Sequence, residues 1–241
     1  MDYTVGFYYN CYKNRYATDN ILQQLRKIYP TEPVYLMNDK GDDLSDIAIK
    51  YNCHYKYSQI NILGGRIIDG KKHMCFTDEA CARAYLSEIL AAVNYCKTDY
   101  IILMEDDVFI HDKVKQFPQH AGGDVNVNNF PHILHDFTPI LKQYPGIKFN
   151  YWNLAGGSIL HCNTIKECIE NTSFEEIRRF DYLCRLPFEL WHINDILLNY
   201  LLMINGKTAD RWTNTQASMI SHPDKRFYKG GVNENKGIYR D

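Results

Sequence analysis

Tyr100-Ile101-Ile102-Leu103-Met104-Glu105-Asp106-Asp107 is the stretch on which the reading of this chain turns. Its first five residues form a near-continuous apolar run, the pattern of a strand buried on both faces at the centre of a parallel sheet. Three carboxylates follow at once. Side by side at the mouth of a buried strand, they repel one another and need a counter-ion. A divalent cation supplies one, because Mg2+ and Mn2+ prefer oxygen ligands and commonly bridge protein carboxylates to substrate phosphates. The bland alternative is a strand end that turns into solvent with capping acidic residues.

Upstream, strand-like and helix-like segments alternate. Tyr3–Tyr8 is rich in β-branched and aromatic residues and predicts a strand. Thr18 or Asp19 is placed to cap a helix over Asn20–Ile28, with Ile21, Leu22, Leu25 and Ile28 on one face. Val34–Met37 predicts the next strand, Leu44–Tyr51 a short helix and His54–Tyr57 a third strand. A loop follows through Gly64-Gly65 and Asp69-Gly70. A long helix then runs to about Cys96, with Thr77 as its cap and Asp78 and Glu79 in its first turn, near the positive end of the dipole. This alternation predicts an α/β, Rossmann-like, doubly wound sheet with ligands at the carboxyl ends of its strands.

The second half is less regular. Phe117–Pro145 reads as a long loop region, with a helix near Ile133–Gln143. Gly156-Gly157-Ser158-Ile159-Leu160 reads as a turn into a strand. Short helices are expected over Ile165–Glu170 and Phe174–Arg178, and a strong one over Glu189–Ile204. The tail after Trp212 is polar and Gly-rich.

The 241 residues suffice to bury a substantial core, and 45% hydrophobic with 23% charged residues is ordinary globular composition. A formal net charge of -2 argues against nucleic-acid binding through phosphate neutralisation. No apolar run approaches the roughly 20 residues of a membrane helix, and Met1–Asn10 lacks the basic and apolar regions of an export signal. A cytoplasmic protein is therefore expected, although a soluble piece of an anchored parent would read the same way. The eight cysteines form no CxxC pair and are expected to be free, buried thiols.

The run Asp78–Val108, with Ala82-Arg83-Ala84, Ile89, Ala92 and the stretch Thr98–Asp107, resembles the core of the GT-A glycosyltransferases. In that superfamily a helix bearing an Ala-Arg pair leads into a hydrophobic strand ending in the DXD motif, often written Glu-Asp-Asp. The resemblance covers about the first 110 residues well and the rest loosely. It implies a single GT-A domain, with residues 1–110 as the nucleotide-sugar-binding half and 111–241 as the acceptor-binding half and C-terminal lid. It implies a nucleotide-sugar donor, with UDP-sugar favoured, a Mn2+ or Mg2+ ion, and a glycan or other hydroxyl acceptor. Asp107 maps to the metal ligand, with Asp106, the middle acid, facing the ribose or sugar and Glu105 supporting.

Further donor-site candidates lie at the ends of the other strands. In a doubly wound sheet Tyr8, Tyr9 and Asn10 face the ligand crevice, where a ring stacks on a base and Asn10 reads its edge; equally, the two tyrosines are core and surface aromatics of a Tyr-rich chain. Asp39 resembles the acidic residue that contacts uracil or ribose in this superfamily, but a plain Asn-Asp-Lys-Gly turn explains the same letters. Arg83 of the Ala-Arg pair is placed to reach the diphosphate or the acid cluster; otherwise it pairs on the helix surface with Glu79 or Glu88. Arg66, Lys71 and Lys72 are loop cations ahead of that helix.

Trp152–Ser158 resembles the segment before the later strand of GT-A enzymes, where Gly156 and Gly157 let backbone approach the donor sugar. Within Glu189–Asp195, Asp195 occupies a position resembling the acidic helix motif that supplies the general base of inverting enzymes. Glu189 is the second choice and His192 an assistant. The alternative is that these acids only stabilise the helix dipole. His222 resembles the C-terminal histidine that some GT-A enzymes bring to the metal, with Lys225 and Arg226 in a basic tail over the diphosphate; a loop histidine is otherwise simply solvated. Two competing readings remain. A nucleotidylyltransferase is disfavoured, because Tyr9–Arg15 lacks the glycines of a triphosphate loop. A non-catalytic carbohydrate- or nucleotide-sugar-binding module is compatible with the same residues.

Overall fold

The computed structural model describes residues 3–62, 66–73, 75, 78–123, 142, 154, 156–184, 193–211 and 219–221, without the side chains of 72, 180–184, 193–196 and 211. Strand β1 (Val5–Cys11) leads through helix α1 (Arg15–Ile28) to β2 (Val34–Asn38), and α2 (Ser45–Lys50) leads on to β3 (His54–Tyr57). A hairpin of β4 (Arg66–Ile68) and β5 (Lys71–His73) precedes α3 (Glu79–Cys96) and β6 (Tyr100–Met104). The remaining elements are β7 (Phe109–Ile110), β8 (Ala121–Gly123), β9 (Ile159–His161), α4 (Cys162–Glu170), α5 (Phe174–Cys184), α6 (Ile193–Ile204), β10 (Ala209–Arg211) and β11 (Ile220–Ser221).

Seven strands form one sheet in the order β10-β8-β9-β6-β1-β2-β3. β6, β1, β2 and β3 run parallel, whereas β9 is antiparallel to both of its neighbours, so the sheet is mixed. The alternation of side chains across a strand splits the core in two. Phe7 and Tyr9 of β1, Leu36 of β2, and Ile102 and Met104 of β6 face a layer completed by Ile21, Leu22 and Leu25 of α1 and Ile47 of α2. Tyr8, Met37, Ile101 and Leu103 face the other layer, with Leu86 and Ile89 of α3, Ile165 of α4 and Leu197 and Leu201 of α6. The doubly wound α/β architecture expected from the alternation is therefore present. Among the described residues no helix is long and apolar enough to cross a membrane. The seven cysteines whose side chains are described are all free, and all but Cys53 are buried.

Several boundaries differ from the sequence reading. Helix α1 starts one turn earlier than expected: its cap is Asn14, whose side chain accepts the Ala17 amide at 3.0 Å, not Thr18 or Asp19. Thr18 is fully buried, and Asp19 pairs with Lys50 instead. Helix α3 is capped by Asp78 rather than by Thr77; the Asp78 carboxylate accepts the Ala80 amide at 2.9 Å. The stretch holding Asp69-Gly70 is a two-residue hairpin turn with both residues at positive φ, 51° and 73°, rather than a plain loop. Within the expected Phe117–Pro145 loop, Ala121–Gly123 is a strand; the helix near Ile133–Gln143 and most of the tail lie outside the described residues.

The hairpin is tied to α3 by one ion pair. The Arg66 guanidinium donates to both oxygens of Asp78, at 2.5 and 3.1 Å. Burial works against the charged form of Asp78, but Arg66, the Cys81 thiol and the Ala80 amide outweigh it and hold the carboxyl below its ordinary value. A folded value below the unfolded one stabilises the protein above the unfolded carboxylate pKa of about 3.9, and this stabilisation is lost as pH falls through the folded value. In Asp78→Asn, melting temperature measured against pH should fall less steeply below about pH 4 than in the parent protein; an unchanged acid limb would show that the pair adds nothing.

Candidate active site

The chain runs outward from β1 to β2 and β3, then returns through α3 to β6 on the opposite side of β1. This reversal is a topological switch point, and in open α/β sheets the crevice outside the strand ends at that point is where ligands bind. The strand ends there are Asn10-Cys11 of β1 and Glu105-Asp106-Asp107 after β6. The register sets Tyr9 beside Met104, so the acidic triplet begins level with Asn10.

Asp107 is fully buried and Asp106 is 6% exposed. Burial pushes the Tyr9 phenol up, with the charges of Asp106 and Asp107 adding to the shift. Burial likewise raises the Cys11 thiol, with Asp106 and then Asp39 adding to it. The carboxylates after β6 and after β2 thus both bear on the end of β1. Asp39, also buried, accepts the Ile62 amide at 2.5 Å and so anchors the chain beyond β3.

The loops flanking the crevice are joined through Asn38, which is fully buried. Its amide oxygen accepts the Gly41 N–H at 2.6 Å, while its amide nitrogen donates to the carbonyls of Asp42 at 2.6 Å and Tyr12 at 3.4 Å. Gly41 is required there: a Cβ would fall 1.7 Å from the Tyr12 carbonyl oxygen. On the other flank, Gly157 has φ 87°, the left-handed region that favours glycine, and donates to the Leu103 carbonyl at 2.5 Å. A Cβ on Gly156 would lie 2.7 Å from Val108 Cγ2 and 3.1 Å from Glu105 Cγ and Cδ. The glycine pair is therefore a close approach of backbone to the acidic triplet, as well as the expected turn into a strand.

The other expected residues divide as follows. Asn10 sits in β1, 8% exposed. Tyr8 and Tyr9 are core residues, one in each layer, with Tyr8 stacked on Tyr35 at 6.2 Å; their rings are not open faces of the crevice. Arg83 is exposed and pairs with Glu79 one turn away at 2.5 Å, so the structure brings it to its helix neighbour rather than to the acid cluster. Asp195 lies in the first turn of α6, with its side chain outside the described residues. Glu189, His192, His222, Lys225 and Arg226 lie outside them altogether.

One contact had no signal in the sequence. Antiparallel pairing of β11 with β7 sets Ser221 opposite Phe109 and Ile220 opposite Ile110. The chain returns from more than a hundred residues away to the segment that directly follows Asp107, and Ser221 is the residue before His222. Among the described residues no three His, Cys, Asp or Glu side chains converge as metal ligands. The donors present are carboxylate oxygens, which suit a hard cation held by one or two protein carboxylates and by phosphate oxygens, not an all-protein cage.

No family model and no curated protein matches the sequence. Among solved structures, the chain is similar to the galactosyltransferase LgtC in complex with donor and acceptor sugar analogs, at 13% identity over 84% of this chain and 72% of that one, with a TM-score of 0.45. It is similar to glucosyl-3-phosphoglycerate synthase from Mycobacterium tuberculosis in complex with Mn2+, UDP and glucosyl-3-phosphoglycerate, at 10% identity over 99% and 76%, with a TM-score of 0.46. It is also similar to the bifunctional glycosyltransferase WbbM, at 10% identity over 87% and 39%, with a TM-score of 0.46. None of these likenesses carries function to this chain, whose chemistry is read from its own residues.

Gly156→Ala should push Val108 and Glu105 aside and lower stability by about 1–3 kcal/mol, the usual range for overpacking. A urea midpoint equal to that of the parent protein would show that the backbone approach to Glu105 is looser than described.

Proposed function

We propose that the chain is a glycosyltransferase of the GT-A type, which moves a sugar from a nucleotide-sugar donor, with UDP-sugar favoured, to an acceptor hydroxyl on a glycan or similar molecule. The observation that carries the reading is the cluster of carboxylates at the switch point between β1 and β6, with the C-terminal strand β11 paired to the residues that follow it. A reaction that expels a nucleoside diphosphate must stabilise charge growing on the leaving phosphate. Asp107, with His222 as a second ligand, would hold a Mn2+ or Mg2+ ion, which when bound supplies that charge compensation.

The remaining roles belong to the chain itself. Asp106 orients the ribose or sugar with Glu105 in support, and Asn10 and Asp39 contact the nucleoside at the ends of β1 and β2. Gly156 and Gly157, lacking side chains, let backbone approach the sugar. Lys225 and Arg226 add positive charge over the diphosphate. Asp195, in the first turn of α6, accepts the proton of the acceptor hydroxyl if the anomeric centre inverts. In that step the acceptor oxygen bonds to the anomeric carbon, the bond from that carbon to phosphate breaks, and the electron pair leaves with the nucleoside diphosphate. Residues 1–110 form the donor half and residues 111–241 the acceptor half.

A thermal-shift screen of nucleotide sugars with Mn2+, followed by donor hydrolysis, tests the proposal, because a ligand that binds only the folded protein raises its apparent stability. Stabilisation by a donor with no turnover toward any acceptor or water would favour the non-catalytic binding module instead. Asp107→Ala should retain the fold and lose metal-dependent turnover by at least about a hundredfold, since a bound metal contributes several kcal/mol to the transition state; full activity in this variant ends the metal assignment. Asp195→Asn should lower kcat by about a hundredfold or more with donor affinity unchanged. The same loss in Glu189→Gln, and not in Asp195→Asn, would move the base to Glu189.

A further inference from the structure

His120 and His161 meet at the end of the sheet away from the acidic triplet. The β8–β9 register sets Ala121 opposite Leu160, and the His161 N–H donates to the His120 carbonyl at 2.8 Å, so the two histidines are a cross-strand pair on one face. On its other side His161 pairs with Tyr100, the first residue of β6, whereas the triplet follows the last. On its other side His120 meets Thr208, which leads into β10, the strand at the edge of the sheet. Among the described residues β10 pairs with β8 alone, through Ala209–Arg211.

Two contacts converge on one ring nitrogen. The Thr208 N–H donates to His120 Nδ1 at 3.2 Å, and the Thr208 hydroxyl lies 3.1 Å from the same atom. A main-chain N–H can only donate, so Nδ1 presents a lone pair and the neutral ring bears its proton on Nε2. A proton on Nδ1 leaves the hydroxyl contact possible with its direction reversed, but it sets N–H against N–H at Thr208. The surroundings oppose that proton. Burial first, then the Lys207 ammonium and His161, hold His120 below the ordinary histidine value, against the pull of Asp210 of β10 and Glu167 of α4. Lys207 pairs with Glu167 at 3.2 Å, which leaves less of that carboxylate's field for the imidazole. Around His161, Nδ1 is hydrogen-bonded to Thr164 Oγ at 2.9 Å, and Asp99 is the carboxylate that bears on the ring.

We infer that His120 is a proton-operated clasp on the edge of the sheet: neutral, it holds the Thr208 amide at the entry to β10, and protonated, it lets that amide go. The segment under its control is the turn from α6 into β10, because the Lys207 N–H closes the end of α6 on the Leu202 carbonyl at 2.8 Å, one residue before Thr208. With its folded value below the unfolded one, the clasp contributes fully above about pH 6.5, and its contribution is lost as pH falls through the folded value. His120 takes no part in the proposed transfer, so the clasp stands or falls independently of that reading.

The test is nitrogen NMR of the full chain between about pH 8 and pH 5, the range in which histidines titrate. Ring nitrogen shifts should show His120 with its proton on Nε2 at the upper end, titrating below the unfolded value of about 6.5. Exchange of the Thr208 amide, corrected for the intrinsic effect of pH, should quicken roughly three- to tenfold as His120 protonates, the measure of one lost hydrogen bond. The amide of Ile102, in the buried middle of β6, should keep its protection. His120→Asn places an amide oxygen near the Nδ1 position, an acceptor that does not titrate, so its Thr208 protection should be flat across the same range. A ring proton on Nδ1 in the parent protein at the upper end, or Thr208 protection equal at both ends, overturns the clasp. So does His120→Asn exchange that keeps the parent's pH dependence, because His161 or the neighbouring carboxylates would then be its cause. The two measurements on the parent decide the matter even if the variant does not fold.

Discussion

Burial of β6 between β1 and β9 is the constraint from which the rest of this molecule follows. Ile101 and Ile102 are removed from water on both faces of the sheet, and a buried strand of this kind must satisfy its backbone groups through neighbours on both sides. The hydrophobic term fixes the position of the strand, and its end then has no freedom. Glu105, Asp106 and Asp107 emerge wherever the sheet stops, two of them inside the protein. Carboxylates confined in this way are costly unless something positive or hydrogen-bonding answers them. That is the physical reason to look for chemistry here and not at the exposed ion pairs elsewhere on the surface.

Closely packed backbone borders the strand ends at the crevice. Asn38 joins two loops through its amide, Gly41 leaves room for the Tyr12 carbonyl, and Gly156 leaves room for Glu105. The buried Asn38 side chain ties main-chain groups of two loops together, and the glycines let the backbone pack closely at the rim. A rim held in this way needs little ordering when a ligand arrives.

Local patterns carried much of the architecture. The ends of β3 and β6 coincide with the runs read from the residues, and the alternation of strands and helices up to Met104 is as expected apart from the β4–β5 hairpin, since period and composition are local properties of the chain. Helix starts were less legible. Asn14 and Asp78 cap α1 and α3 although Thr18, Asp19 and Thr77 offer the same chemistry, because a cap is chosen by which side chain meets a free amide once the helix has docked. Tyr8 and Tyr9 show the same limit: adjacent aromatics on a strand face opposite ways, and only the presence of helices on both sides of the sheet makes core residues of both.

The acidic triplet, the strand it ends and the α/β class were readable from the letters alone, because hydrophobic runs, like charges and turn glycines act over a few neighbouring residues. The strand order, the switch point between β1 and β6, the return of Ile220-Ser221 to Phe109-Ile110, and the pairing of Arg66 with Asp78 belong to the folded chain. These are choices among partners of equal local chemistry. They are settled by which surfaces the two core layers bring together, a quantity that no window of sequence contains.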